Sequence, residues 1–419
     1  MRGFLTAQPG FVDKQYALAP SGVSFSRISP FLLILSVLLC PIKGSAWTNG
    51  ELSIWMDGER GKAVEVIARK FEADLGLKVS IESPDKITDS FPIAAQSGKG
   101  PDIIIWAHDK VGEWADGGLI APLDLSNEFR EKFLPKAWQA VLHRKQYWGY
   151  PIALETVTLI YNKALLDGPP PMDLSQLKEM SQKIRNGHPG TIPILWDSTS
   201  PYYIWGILAS GGGYVFAKTG EGYNTENVGI ATPGAVDALT KIVALIRAGV
   251  LPKSCSYSNT EDLMGQGKLA LMISGPWAWS NLIQKSIDFG LACVPGVNGN
   301  IGRPFVGVSV AYLNRSSPNQ DLSKEFLERY LFTEEGLTEM DKAKPIGVPA
   351  LVSVYEKVAK NNPLLRELKA SVDYGQVMPN IPEMGRFFSS LGAALELAAD
   401  GRLSARTALQ QAEANMRHD

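Results

Sequence analysis

Two tryptophans behind a Gly-Pro break are the residues of this chain best placed to do chemistry. Leu269-Ala270-Leu271-Met272-Ile273 is an unbroken apolar run, which reads as a buried strand. Ser274-Gly275-Pro276 ends it, and Trp277-Ala278-Trp279-Ser280-Asn281 follows at once. Gly-Pro reads as a turn at the carboxyl end of the strand, the end at which open α/β sheets hold their ligands. A tryptophan held there by a stiff turn presents a flat apolar face beside small polar groups. The chemistry it suits is that of a sugar, with C–H faces and a rim of hydroxyls. Trp277 is the candidate for that contact, while Trp279 and Trp55 read as packing.

Other chemistry finds little support. The four histidines are His108, His143, His188 and His418, and none stands at zinc-ligand spacing from another or from a cysteine. There is no G-x-S-x-G nucleophile elbow and no Walker A sequence. Gly265-Gln266-Gly267-Lys268 has the wrong spacing for a phosphate loop and reads as a helix-to-strand turn. Carboxylates are plentiful, but a glycosidase pair is defined by a separation of roughly 5–9.5 Å, which depends on the fold. A secreted carbohydrate-active enzyme is therefore an alternative without a residue pattern of its own. No metal or cofactor is expected.

The elements that must carry these side chains alternate between strand and helix. Leu52-Ser53-Ile54-Trp55 reads as a short strand. Ala63, Val64, Ile67, Phe71 and Leu75 then recur at helical spacing up to Gly76, a fitting C-cap. Lys78-Val79-Ser80-Ile81-Glu82 alternates as a strand and completes a βαβ unit. Ile103-Ile104-Ile105-Trp106, after Pro101-Asp102, is apolar throughout, as in a strand buried on both faces, and Ala107-His108-Asp109-Lys110 sits at its end. The stretch from Gly149 through Glu155 to Tyr161 is long and extended enough to cross between domains, and Pro304-Phe305-Val306-Gly307-Val308 is a second such crossing. The last 60 residues read as mostly helical with a break at Met378-Pro379-Asn380-Ile381-Pro382. The class is α/β, and 419 residues suggest two or three domains.

Composition agrees with a globular protein: 45% of residues are hydrophobic and 20% charged. The first 46 residues hold four basic residues and one acid, leaving 37 basic and 42 acidic residues in the rest, a net charge of −5. A mildly acidic chain without a basic run does not suit nucleic acid or an anionic membrane. The apolar run Phe31 to Cys40 is too short for a bilayer, which needs about 20 residues. Arg27 precedes it and Gly44-Ser45-Ala46 follows, so residues 1–46 read as a secretory signal peptide cleaved after Ala46. Cys255 and Cys293 remain, two cysteines that make no disulfide framework.

Six runs, in order, resemble the maltose/maltodextrin-binding proteins of bacterial ABC importers, within the extracellular solute-binding proteins of family 1. They are Pro101-Asp102-Ile103-Ile104 with Trp106-Ala107-His108-Asp109; Pro151-Ile152-Ala153 with Glu155; Leu159 to Lys163; Gly275 to Asn281; Pro304 to Val308; and Met378 to Pro382. The resemblance is nearly collinear from Glu51 to the C-terminus. It implies an α/β fold of type II, two lobes with a ligand cleft between them. The N-terminal lobe would be 47–155 with 306–357, and the C-terminal lobe 156–305 with 358–419. It also implies capture by hinge closure, a motion for which periplasmic binding proteins are a standing example. The implied protein is a periplasmic, non-catalytic monomer that takes maltose, a maltodextrin or a related α-glucoside. It would hand that sugar to the membrane subunits of a permease, with a chemoreceptor as a further partner.

By the same resemblance, Trp106, Tyr202, Tyr203 and Trp277 would stack on or line sugar faces. Glu59, Arg60, Asp109 and Glu155 would bond hydroxyls, and Met378 would line the site. Arg60 stands where the family has lysine, and Lys110 where it has arginine, so a bidentate fork is lost at Lys110. Ser200 replaces a glutamate, Phe388 a stacking tryptophan and Gly392 a charged or polar residue. Phe388 is open to packing or stacking, and Ser200 with Gly392 leave open another disaccharide, trehalose or sucrose.

Overall fold

Asp57 starts the first long helix: its carboxylate accepts from the backbone N–H of Arg60 at 3.0 Å. Helix Gly58–Leu75 buries Ala63, Val64, Ile67 and Phe71 along one stripe, and Gly76 closes it in the left-handed region (φ 69°). The flanking strands Glu51–Trp55 and Lys78–Glu82 pair in parallel, which completes the βαβ unit. The computed structural model describes residues 50–220 and 222–417; the expected signal peptide lies outside the described residues.

The first sheet runs Val348–Pro349, Tyr150–Thr156, Phe305–Leu313, Ile103–Ala107, Glu51–Trp55, Lys78–Glu82, with Gln376–Val377 beside the start of Phe305–Leu313. The second runs Phe289–Ala292, Thr158–Asn162, Leu269–Ser274, Ile192–Ile194. Helices pack on both, so the fold is α/β with two lobes. A single buried residue, Val157, separates the last strand residue of the first sheet from the first of the second. Thr156 Oγ1 donates to Phe305 O at 2.7 Å, and Thr158 Oγ1 to Ser274 O at 3.3 Å. Each threonine thus anchors one side of the crossing to its own sheet.

The apolar runs go where continuous burial predicts. Ile103 and Ile104 are fully buried, as is the whole of Leu269–Ser274. Phe305 stacks on Trp205 (centroids 5.3 Å, interplanar 12°) and meets Phe387 edge-on, so the second crossing is seated in apolar surroundings. Trp279 and Trp55 are buried, as packing residues should be. Cys255 and Cys293 are both free thiols, half-buried. Helix Pro363–Tyr374 packs on both Tyr150–Thr156 and Phe289–Ala292, bridging the two sheets.

His108 fastens the end of Ile103–Ala107 to the second crossing segment and to the segment that carries Met378. Its Nδ1 accepts from the Val308 N–H at 3.0 Å, and its Nε2 lies 2.9 Å from Met378 O. Full burial pushes its pKa down to about 4, against two backbone hydrogen bonds that raise it. The folded protein therefore refuses a proton that the unfolded chain takes up near pH 6.5. Stability contributed by neutral His108 is whole above pH 6.5 and falls as the pH drops toward 4, by about 3 kcal/mol in total. Urea unfolding of wild type and His108→Gln at pH 7.5 and pH 5 should show a flatter pH dependence in the variant. Parallel profiles would contradict this role.

Candidate functional site

Side chains from both sheets line one cleft of about 540 Å³. Of the eleven side chains expected at a site, Arg60, Trp106, Asp109, Glu155, Tyr202, Trp277 and Met378 come together there. Trp106 sits near the carboxyl end of Ile103–Ala107, and Asp109 in the single helical turn His108–Lys110 that follows. Trp277 stands in the one-turn helix Pro276–Ala278 directly after Leu269–Ser274. Its ring folds back over Gly275 so closely that a Cβ there would lie 2.2 Å from it. Only glycine permits that position, which explains the Gly-Pro sequence better than a turn alone does. Tyr202 occupies the first turn of helix Pro201–Ser210, with its ring 6.4 Å from that of Trp277 at 44°. These two rings make one aromatic wall, and Trp106 supplies a third ring from the other sheet.

The polar groups are held in an unusual state. Asp109 is pushed above the ordinary carboxylate range by burial, with Lys110 acting in the opposite direction. Its Oδ1 is buried and has no hydrogen-bond partner. Glu155 is likewise pushed up by burial, opposed by Arg60 and Lys344. The Arg60 Nη2 lies 3.8 Å from Glu155 Oε1 and donates to Pro345 O at 3.1 Å, while its Nε is buried without a partner. Gly347, with φ 92°, lets the loop after Lys344 close over this pair; a Cβ there would meet Leu154 O at 2.5 Å. The cleft thus offers a bare acceptor and a bare donor beside aromatic faces. Burying such a group unpaired costs about 1–3 kcal/mol, a cost that a ligand hydroxyl, donor and acceptor at once, removes.

The other four expected residues do not line the cleft. Glu59, on the exposed side of the first helical turn, is held by Lys344 Nζ at 2.6 Å and directs that lysine instead. Lys110 turns to Glu113 Oε2 at 2.8 Å. Tyr203 meets Tyr202 edge-on behind the wall (5.8 Å, 84°). Phe388 packs on Phe387 and Phe305, at 5.2 and 6.3 Å, in the apolar cluster around the second crossing. Asp57, His108, Ser309 and Lys344 line the cleft without having been anticipated. For Asp57 the available signal is its place as an Asp just before the first helical run, where it caps that helix. Lys344 has none, because it meets Glu59 across 285 residues and no local pattern announces it.

Residues 57–337 match the bacterial extracellular solute-binding proteins. The chain belongs to that family. It is 27% identical over 359 residues to a maltotriose-binding protein of Pyrococcus abyssi, covering 83% of this chain and 77% of the relative. It is 27% identical over 378 residues to a galactooligosaccharide-binding protein of Bacillus subtilis, covering 88% and 89%. It is 26% identical over 371 residues to a maltooligosaccharide ABC transporter solute-binding lipoprotein of Streptococcus pneumoniae, covering 86% and 87%. All three relatives are named as binding proteins. Among the described residues no helix is long and apolar enough to cross a membrane.

Proposed function

We propose that this solute-binding protein captures an α-linked glucose oligosaccharide, maltose or a maltodextrin, and passes it unchanged to the membrane subunits of an ABC importer. The observation that carries this reading is the cleft in which Trp106, Tyr202 and Trp277 surround the unpartnered Asp109 Oδ1 and Arg60 Nε. Aromatic faces take the apolar side of a pyranose ring, and buried charged groups make the stronger hydrogen bonds to its hydroxyls. The names of the Pyrococcus and Streptococcus relatives favour the same sugar class. The lobes in this reading are 47–155 with 306–357 and 156–305 with 358–419, closing about Val157 and the start of Phe305–Leu313. In this reading residues 1–46 are a cleaved leader that would carry the mature protein to the periplasm. Trp106 and Trp277 are built-in reporters: titration with maltotriose should change tryptophan emission saturably in the micromolar range. An unchanged spectrum with maltose, maltotriose, trehalose and sucrose would remove the sugar reading.

A second reading, a receptor for a different oligosaccharide, is favoured by one local observation. Ser200 and Gly392, two departures from the maltodextrin pattern, meet at Pro201: Ser200 precedes it, and a Cβ on Gly392 would touch its ring at 3.7 Å. Their loss therefore strips polar groups from one spot. The galactooligosaccharide relative, at equal identity, agrees with a shift of ligand. Ser200→Glu should then strengthen maltose binding by about 1.5–3 kcal/mol, the worth of one charged hydrogen bond. An unchanged maltose affinity would eliminate this account of the shift.

A further inference from the structure

A second concavity opens on the other face of the segment that carries Met378. Side chains alternate along extended backbone. Met378 accordingly lines the sugar cleft, while its neighbours Val377 and Pro379 line a separate groove of about 430 Å³. Lys136 of helix Pro135–Val141 enters the groove from one side. Lys218, at the end of strand Tyr214–Thr219, enters from another, and Arg303 precedes strand Phe305–Leu313. Among the described residues no carboxylate lines it.

The three cations are not equivalent. Lys136 is spent inward: its Nζ donates to Val372 O, Asp373 O and Gly375 O at 2.6, 2.8 and 2.9 Å, capping the end of helix Pro363–Tyr374. All three of its donors are used, so it acts as a fixed positive charge. Burial pushes its pKa down, Asp373 opposes that, and Lys369, Lys218 and Arg303 push it further down by repulsion. The side chains of Lys218 and Arg303 have no ion pair or hydrogen bond among the described residues. The adjoining depression, which shares Lys218, differs: its His143 and Arg144 are both held by Asp116 at 2.9 Å. Among the described residues, uncompensated positive charge is therefore concentrated at Lys218 and Arg303, beside a third charge that its hydrogen bonds hold in place.

We propose that this groove is an anion site, separate from the sugar cleft, that takes a small multivalent oxyanion of the phosphate or sulfate class. Arg303 supplies the planar fork that fits two oxygens of such an ion. Lys218 supplies a mobile point charge, and Lys136 the fixed field beneath them.

Calorimetric titration of the full protein with inorganic pyrophosphate at low ionic strength, against chloride of matched ionic strength, tests this. The expected result is saturable one-to-one binding. Lys218→Gln with Arg303→Gln should weaken it at least tenfold, while Lys183→Gln, on helix Leu177–Gly187 outside the groove, leaves it unchanged. Each single variant should lose part of the affinity, which keeps the test open if the double variant fails to fold. Absence of saturable binding to the wild type, or equal binding by the Lys218 and Arg303 variants, would overturn the proposal.

Discussion

Trp277→Ala is expected to weaken maltotriose binding at least tenfold, about 1.4 kcal/mol, in a protein that still folds. The ring is half-buried, lines the cleft and shares its wall with Tyr202. Truncation removes an apolar face that a pyranose can cover and leaves Tyr202 without a neighbour. The cost to folding stays smaller, because Leu269–Ser274 and Trp279 are buried independently of that ring. Gly275→Ala separates the presence of the ring from its position. Its methyl group would sit within the Trp277 ring as now placed, so the ring must swing away. Affinity should therefore fall by a similar factor although the tryptophan is still present. Titration of both variants, with circular dichroism to establish folding, checks the pair. A folded Trp277→Ala protein of undiminished affinity would remove Trp277 from the site.

Arg60→Met is expected to destabilise the protein by about 2–4 kcal/mol at pH 7.5, because it leaves Glu155 buried with its nearest cation gone. Only 17% of the Arg60 side chain and 22% of the Glu155 side chain are exposed, so solvent does little to screen the loss. Burial already raises the Glu155 pKa, and Arg60 is the first influence holding it down. Without Arg60 the folded-state value rises further. A carboxyl whose folded pKa lies above its unfolded value costs stability above that pKa, and the cost fades as pH falls through it. The variant should thus lose more stability at pH 7.5 than at pH 5, and Glu155→Gln in the same background should restore most of it. Equal losses at both pH values would assign the effect to packing and to the Pro345 hydrogen bond instead.

The parts of this site legible in the sequence are those that local patterns dictate. The run Ile103 to Trp106 could only be a strand buried on both faces, and that put Trp106 and Asp109 at its carboxyl end. The run Leu269 to Ile273 with its Gly-Pro stop did the same for Trp277. Val157 and Phe305 sit in long extended stretches that read as crossings before any sheet was known. What local pattern does not carry is the choice among partners. Glu59 is paired by Lys344 from a distant loop, and Lys110 by Glu113 one turn away; no local pattern announces the first of these partners. Phe388 lies along the buried stripe of helix Met384–Ala399 that holds Met384, Phe387, Leu391 and Leu395, so its spacing alone pointed to packing and only the resemblance suggested a ligand face. His108 was legible only as a residue without zinc-ligand neighbours. Its part in joining three segments depends on two backbone groups 200 and 270 residues away. The hairpin Tyr214–Thr219 with Gly222–Gly229, which walls the basic groove, is polar through most of its second strand and gave no clear alternation.

The measurement that bears most directly on capture without catalysis is a calorimetric titration of the protein from Trp47 onward with maltotriose, with the sugar recovered and analysed afterwards. The account predicts micromolar or tighter one-to-one binding and maltotriose returned intact. Glucose or maltose in the recovered material would contradict it by making the protein an enzyme. The absence of binding heat with maltotriose and maltose would contradict the maltodextrin assignment and move the search to trehalose, sucrose and galactooligosaccharides.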